Sequence, residues 1–146
     1  MQSNPRRAPR PSRPLNSPAP GKAPSATESG LAWEQRTARY LQRKGLKVLI
    51  QRYRCRLGEL DLVCLDGATL VIVEVRARAG SRSARAAESV DVRKQRKLVR
   101  ATRHLLMTHP QWSDSRLRFD VFCIYNIDKD APTVRWIRNA FDGGGA

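Results

Sequence analysis

The sequence has little of what histidine- or thiol-based sites require. Its histidines are His104 and His109, and its cysteines, Cys55, Cys64 and Cys123, are odd in number and fit no zinc-binding spacing. A disulfide framework, a zinc site and a Ser/His triad are therefore not expected. Cys64 and Cys123 stand in apolar runs, where a free cysteine is usually a small buried hydrophobe. We expect a reduced, cytoplasmic protein.

Long apolar runs are also missing. No stretch approaches the ~18 apolar residues of a membrane-spanning helix, so we expect a soluble chain without a membrane partner. The first 24 residues contain no acid and hold seven of the nine prolines. Because such a composition cannot bury a core, we predict a disordered Pro/Arg-rich tail at residues 1–27 and one domain at residues 28–146. A misassigned start codon upstream of the true one is the alternative explanation of the tail.

Positive charge is abundant. The formal net charge is +15, and the chain beyond residue 24 still carries 23 basic and 13 acidic residues. The excess of positive charge is therefore found in the folded domain and not only in the tail. Such a domain attracts polyanions, and nucleic acid, DNA in particular, is the leading class of partner. An anionic membrane surface is the runner-up.

Hydrophobic periodicity predicts an α/β domain with the element order αβββαββ. Helical spacing runs from about Ser29, a candidate N-cap, to Lys44, with Gly45 as the stop signal. The other predicted elements are strands at Leu46–Tyr53, Glu59–Leu65 and Thr69–Arg76, a helix at Asp91–Thr108, and strands at Leu117–Tyr125 and Thr133–Ile137. The run 70–73 is apolar on both faces, which predicts a central strand. A mobile basic loop is predicted at Ala77–Ala87.

Two carboxylates interrupt apolar strands. Asp61 lies in Leu60–Val63 and Glu74 in Val71–Val75, and a carboxylate there is costly unless it is paired or bound to a metal. A two-residue Asp66-Gly67 loop would place Asp61 diagonal to Glu74, and a four-residue loop would place the two face to face. A three-residue loop would separate them.

Both even registers put Glu59, Asp61, Glu74 and Arg76 on one sheet face. Converging acids repel each other, and a raised pKa or a hard divalent cation such as Mg²⁺ or Mn²⁺ relieves that repulsion. Such a cation activates water and orients a phosphodiester, while Arg76 stabilises the developing charge. The structural alternative is an ion network in which Glu74 pairs with Arg76, Arg78 or Arg54.

The strings Gly58–Val63 and Val73–Arg78 resemble the D…(D/E)xK signature of restriction-endonuclease-like nucleases. More closely, the chain from about Gly30 to Phe141 resembles the bacterial YraN family, which is related in fold to Holliday-junction resolvases. The resemblance implies a mixed β-sheet flanked by helices, and a homodimer. It also implies Asp61 and Glu74 as metal ligands and Glu34 as a third acid.

One position departs from the resemblance, because Arg76 stands where the signature usually has lysine. Arginine stays protonated and acts as a forked phosphate clamp, whereas lysine can also exchange a proton. The resemblance further implies that Lys94 or Gln95, on the second helix, approaches phosphate.

The second helix carries a basic face with no acid after Asp91, which favours nucleic-acid contact over an ordinary solvated face. The predicted contact residues are Arg78, Arg93, Lys94 and Lys97. Asp120 is interpreted as a structural partner for an arginine, and the three tryptophans as core or rim residues.

These observations lead to three functional hypotheses. The first is a Mg²⁺- or Mn²⁺-dependent endonuclease acting on structured or branched DNA. The second is a non-catalytic nucleic-acid-binding module with a degenerate nuclease site. The third is a basic adaptor for an acidic protein partner.

Overall fold

A computed structural model describes residues 26–81 and 88–143. The predicted tail, up to residue 25, and residues 82–87 of the predicted basic loop lie outside the described residues. The elements are α1 (Ala26–Arg43), β1 (Lys47–Cys55), β2 (Gly58–Asp66), β3 (Thr69–Ala77), α2 (Val92–Thr108), β4 (Arg116–Tyr125) and β5 (Thr133–Phe141). The predicted order αβββαββ is confirmed.

The helix ends follow local signals, with one exception. After α1, Gly45 has a φ of +98°, and the Leu46 N–H donates to the Leu41 carbonyl at 3.0 Å, which closes the helix. Asp91 caps α2, since its Oδ1 accepts from the Lys94 N–H at 2.8 Å. The predicted cap at Ser29 was wrong, because α1 begins at Ala26 and Ser29 lies inside it.

The five strands form one mixed sheet in the order β1-β2-β3-β4-β5. The pairs β1/β2, β2/β3 and β4/β5 are antiparallel, while β3 and β4 are parallel and are joined through α2. The prediction of a central third strand is confirmed, because β3 is flanked on both sides and residues 70–73 are fully buried. This is the mixed sheet flanked by helices that the resemblance implied.

Each face of the sheet packs against one helix. On the α2 side the core includes Leu60, Val63, Leu98 and Leu105, and on the α1 side it includes Trp33, Leu41, Leu62, Cys64 and Phe122. Cys64 and Cys123 are free thiols buried in these cores, as predicted. No helix within the described ranges is long and apolar enough to cross a membrane.

The β2–β3 hairpin has the even register that the sequence required. Leu62 pairs with Val73 and Asp66 with Thr69, so the two residues between the strands are Gly67 and Ala68. Gly67 takes a φ of +60°, as a tight turn demands. This register is the second of the two predicted alternatives, in which Asp61 stands level with Glu74.

We expect Gly58→Ala to destabilise the protein by about 1–3 kcal/mol, because Gly58 has a φ of +151°, where an L side chain is strained. Gly58 also lies against α2, since a Cβ there would be 3.5 Å from the Lys97 carbonyl oxygen. The free energy of unfolding in urea measures the effect. Gly30→Ala is the control, because it adds a methyl group to open space in α1 and should stabilise by up to ~1 kcal/mol. Equal stability of the two variants would contradict the prediction.

Candidate metal and nucleic-acid site

Strands β2 and β3 separate at Asp61. Their paired residues run from Asp66 and Thr69 to Leu62 and Val73, although both strands continue beyond that level. There the Val75 N–H donates to Asp61 Oδ2 at 2.8 Å. A carboxylate oxygen therefore takes the place of a backbone acceptor, and it holds the Asp61 side chain in the fork between the two strands.

Strand β1 is distorted at the same level. Arg52, which has a φ of +55°, lies between the pairs Gln51–Leu62 and Tyr53–Leu60. A positive φ at a residue with a long side chain is strained and persists only where the surroundings hold it. Here Arg52 Nε lies 2.9 Å from Oε2 of Glu34 in α1. The ion pair therefore anchors the distorted residue beside the fork.

This distortion interrupts the alternation of side chains. Leu60 and Val63 both pack on the α2 side, although they are three positions apart and regular alternation would put them on opposite faces, and Leu62 packs on the α1 side. Glu59, next to Leu60, therefore points away from α2, and it pairs with Arg54 at 3.2 Å while 60% exposed. The prediction that Glu59 shares the face of Asp61 and Glu74 was wrong, because the side chains of β2 do not alternate regularly between Leu60 and Val63.

Asp61 and Glu74 remain together. Burial, followed by the neighbouring Glu74 carboxyl group within hydrogen-bonding reach, raises the pKa of Asp61 to about 8. Glu74 is itself buried, at 8% exposure. Near neutral pH the Asp61 carboxyl group is therefore protonated, because two adjacent negative charges at this site are unfavourable.

Glu34, the third acid that the resemblance implied, is engaged by an arginine. It is buried and engaged by Arg52, and its pKa is raised by burial against the opposing effect of that arginine. Its charge contributes to the raised pKa of Asp61, so it is near the pair. It is better described as the anchor of Arg52 than as a third ligand.

Lys94 contacts the carboxyl pair directly. Its Nζ lies 3.2 Å from Glu74 Oε2, and its backbone is held in the first turn of α2 by the Asp91 cap. Arg76, two residues after Glu74, donates from Nη1 to the Ser89 carbonyl just before α2. The structure thus brings a lysine from the helix, and not from the strand, to the two acids.

The remaining predicted contact residues flank this centre. Arg93 and Lys97 are exposed on α2, together with Arg96, Arg100 and Arg103. Arg78 Nη1 donates to the Ala77 carbonyl at 3.0 Å and lies at the end of β3. The predicted basic face of α2 is therefore a solvent-facing surface that starts beside the carboxyl pair.

Asp120 is structural, as predicted from its arginine-containing surroundings. It is buried and accepts hydrogen bonds from the Arg118 guanidinium, the Trp136 indole and the Asn139 N–H. Arg118 also reaches Asp66 at 2.8 Å, which ties the β2–β3 turn to β4. With its oxygens engaged in this way, Asp120 is not a candidate ligand.

The two carboxyl groups, Asp61 and Glu74, suit only one way of binding a hard divalent cation. Within the described part of the chain, no group of three or more His, Cys, Asp or Glu side chains is placed to hold a metal ion. Mg²⁺ is commonly bound by only one or two carboxylates, with water and substrate phosphate completing its shell. Asp61 and Glu74 fit that mode, and they do not form an all-protein cage.

Sequence reasoning missed one residue of this centre, Arg52, and one contact of another, Lys94. Arg52 gave no signal, since an arginine in a strand rarely takes a positive φ. Lys94 was assigned only to phosphate contact, although its place one turn into a capped helix that follows the Glu74 strand could have suggested contact with Glu74.

Comparisons with known proteins agree with the resemblance. A family model described as "Uncharacterised protein family UPF0102" matches residues 33–124. A UPF0102 protein of Pseudomonas fluorescens (strain Pf0-1) is 42% identical over 118 residues, covering 81% of this chain and 96% of the relative. A UPF0102 protein of Stutzerimonas stutzeri (strain A1501) is 46% identical over 114 residues, covering 78% and 94%. One of Ectopseudomonas mendocina (strain ymp) is 46% identical over 118 residues, covering 81% and 98%. The chain therefore belongs to the UPF0102 family, which is the YraN family that its sequence strings resemble.

Proposed function

We propose that this protein is a divalent-metal-dependent endonuclease that hydrolyses phosphodiesters in structured or branched DNA. The observation that carries the proposal is the Asp61–Glu74 pair at the fork between β2 and β3, in which Glu74 is buried and the half-buried Asp61 has a raised pKa. Two neighbouring carboxylates repel each other, and this repulsion contributes to the raised pKa of Asp61. A bound Mg²⁺ or Mn²⁺ would remove the repulsion, which is why the pair suits a divalent cation. Such a cation, when bound, supplies positive charge to phosphate oxygens and acidifies a water molecule.

In this proposal, the residues around the carboxyl pair have separate roles. Asp61 and Glu74 hold the cation, and the Val75 N–H keeps Asp61 turned into the fork. Lys94, 3.2 Å from Glu74, presents an ammonium group to the charge that develops on the phosphate. In this proposal Lys94 does what the strand lysine of the signature does, and Arg76 contributes charge from the adjoining strand position.

The surface around the pair supports a polyanionic substrate. Arg93 and Lys97 extend from the carboxyl pair along exposed α2, and Arg78 lies at the end of β3. Contacts of this kind hold phosphates without reading bases, and they weaken steeply as salt rises. They suit recognition by backbone shape, which is why structured DNA is the proposed substrate.

The decisive test is metal-dependent cleavage. Labelled linear, forked and four-way DNA are incubated with Mg²⁺ or Mn²⁺ and with the wild type, Asp61→Ala or Glu59→Gln. We expect products with the wild type, a loss of at least about 100-fold with Asp61→Ala, and a change of less than about threefold with Glu59→Gln. The control removes a carboxylate two residues away that is 60% exposed. Cleavage that survives Asp61→Ala would contradict the proposal.

Lys94→Ala and Arg93→Ala, neighbours on α2, separate turnover from binding in the same assay. Lys94→Ala should lower the cleavage rate on bound DNA about 10- to 100-fold, because the ammonium group at Glu74 is lost. Arg93→Ala should mainly weaken binding and reduce its salt dependence, since its side chain is exposed. Equal effects of the two variants on cleavage of bound DNA would remove Lys94 from the proposed site.

One observation favours a second candidate, a non-catalytic nucleic-acid-binding module. Glu34, the implied third acid, is held by Arg52 and forms no three-acid group with Asp61 and Glu74 in residues 26–81 and 88–143. DNA binding that is independent of Mg²⁺ and yields no product from any substrate would establish this candidate in place of the nuclease.

A further inference from the structure

A trough runs along one flank of α2. It consists of two adjoining cavities of about 260 and 370 Å³, and both are bounded by Asp142 and Gly143 at the end of the described chain. One cavity is lined by the first three turns of α2, and the other by Leu106 and the start of β4. The two cavities are therefore neighbours on the same side of the molecule, and together they are called the trough.

The α2 side of the trough carries two parallel rows of residues. The apolar row, spaced by seven residues, is Val92, Val99 and Leu106. The arginine row, spaced by four and then three residues, is Arg96, Arg100 and Arg103. Val92 is 58% exposed, and the three arginines are exposed. Helical geometry keeps such rows adjacent along the axis, so apolar and cationic groups face the same open space.

The trough lies on the opposite flank of α2 from the carboxyl pair. At about 100° per residue, Val92 and Val99 are rotated by roughly 140–160° from Lys94 around the helix axis. Lys94 contacts Glu74, whereas Val99 lines the trough. A phosphodiester held at Asp61 and Glu74 therefore leaves the trough open.

We propose that the trough binds an acidic protein segment that also presents aliphatic side chains. The three arginines face one carboxylate of this chain, Asp142, which leaves an excess of positive charge along the rim. Phosphates would satisfy the arginines but offer no group for the apolar row, whereas a peptide that alternates acidic and aliphatic residues satisfies both rows. The N-terminal 24 residues of this chain carry five basic residues and no acid, so charge repulsion disfavours that segment as the occupant.

The test uses a short fluorescein-labelled peptide of alternating aspartate and leucine, with fluorescence anisotropy as the readout on the full chain. We expect binding to the wild type and a loss of at least about tenfold in affinity for Val92→Asp. That substitution places an unfavourable charge in the trough, yet an acid in the first turn of a helix does not disfavour folding. Arg39→Gln, at an exposed position of α1, lowers the net charge by the same amount and should change affinity by less than about twofold.

Three results would overturn the proposal. If Val92→Asp and Arg39→Gln lose equal peptide affinity, the binding depends on net charge alone and not on the trough. If the wild type does not bind the peptide, the trough is not a binding site for such a segment. A loss of duplex-DNA affinity for Val92→Asp as large as its loss of peptide affinity would assign the trough to nucleic acid instead. Because Asp61 and Glu74 are untouched, cleavage by Val92→Asp reports on the proposed nuclease separately.

Discussion

Asp61→Asn is expected to stabilise the metal-free protein above pH 8 and to abolish its stabilisation by Mn²⁺. Asparagine keeps an oxygen for the Val75 N–H and offers its amide group to Glu74, so the fork between the strands can persist. What the substitution removes is the ionisable group. The variant should therefore separate two effects of the pair: its destabilisation of the metal-free protein, and the stabilisation that it provides by binding Mn²⁺.

The direction follows from proton linkage. The pKa of Asp61 is raised from 3.8 to about 8 in the folded protein, so folding favours the protonated form. The stability contributed by that form is complete below about pH 4 and is lost as the pH rises through 8. Since asparagine is neutral throughout, the variant keeps this stability. At about 1.4 kcal/mol per unit the whole shift corresponds to about 6 kcal/mol. Because Asp61 is only half-buried, solvent screening reduces this, and we expect the variant to retain on the order of 3 kcal/mol at pH 8.5.

Thermal unfolding from pH 4 to pH 9, with and without Mn²⁺, measures both effects. In the absence of metal, the two proteins should melt together near pH 4 and diverge by roughly 10 °C at pH 8.5. Added Mn²⁺ should raise the midpoint of the wild type alone, because a ligand of the folded state stabilises in proportion to its occupancy. Glu59→Gln should follow the wild type in both respects. A wild type whose advantage over the variant grows with pH would contradict the raised pKa.

Asp120→Ala is expected to cost about 3–5 kcal/mol of folding free energy. The carboxylate is 1% exposed and accepts from Arg118 Nε and Nη2 at 2.9 and 3.0 Å. It also accepts from Trp136 Nε1 and the Asn139 N–H, both at 2.9 Å. Its removal leaves a guanidinium group that is 19% exposed, together with two neutral donors, short of acceptors. Asn139 would also lose a bond that supports its φ of +53°.

Urea unfolding monitored by tryptophan fluorescence measures this loss, which is a large part of the ~5–15 kcal/mol typical of a domain. Asp120→Asn, which keeps one acceptor oxygen, should lose less. The control is Asp114→Ala, at an exposed position before β4, and it should change the free energy of unfolding by less than ~0.5 kcal/mol. A cost of Asp120→Ala below about 1 kcal/mol would show that Arg118 finds sufficient partners in Asp66 and water.

The carboxylates in the strands illustrate what could be predicted. Asp61, Glu74 and Asp120 all interrupt apolar strands, and the sequence pattern identified each as needing a partner. The even hairpin register followed from the turn residues, although the loop proved to be Gly67-Ala68 and not Asp66-Gly67.

The prediction of one shared face failed for Glu59, and the cause lies outside its own strand. At the level of Asp61, the neighbouring strand β1 carries Arg52 with a positive φ, and its guanidinium group is held by Glu34 from a different element. Periodicity describes an undistorted strand, so it could not anticipate a break imposed by a contact between residues that are far apart in the chain.

The sequence by itself determined the element order, the central position of β3, the burial of the cysteines and the need for partners at the strand carboxylates. All of these follow from local patterns of apolar and polar residues. Only the tertiary structure decided that Lys94 reaches Glu74, that Glu34 holds Arg52, and that a trough opens on the far flank of α2. The physical reason is that these features depend on how α1 and α2 pack across the two faces of the sheet, and side chains that meet there are brought together by packing rather than by sequence spacing.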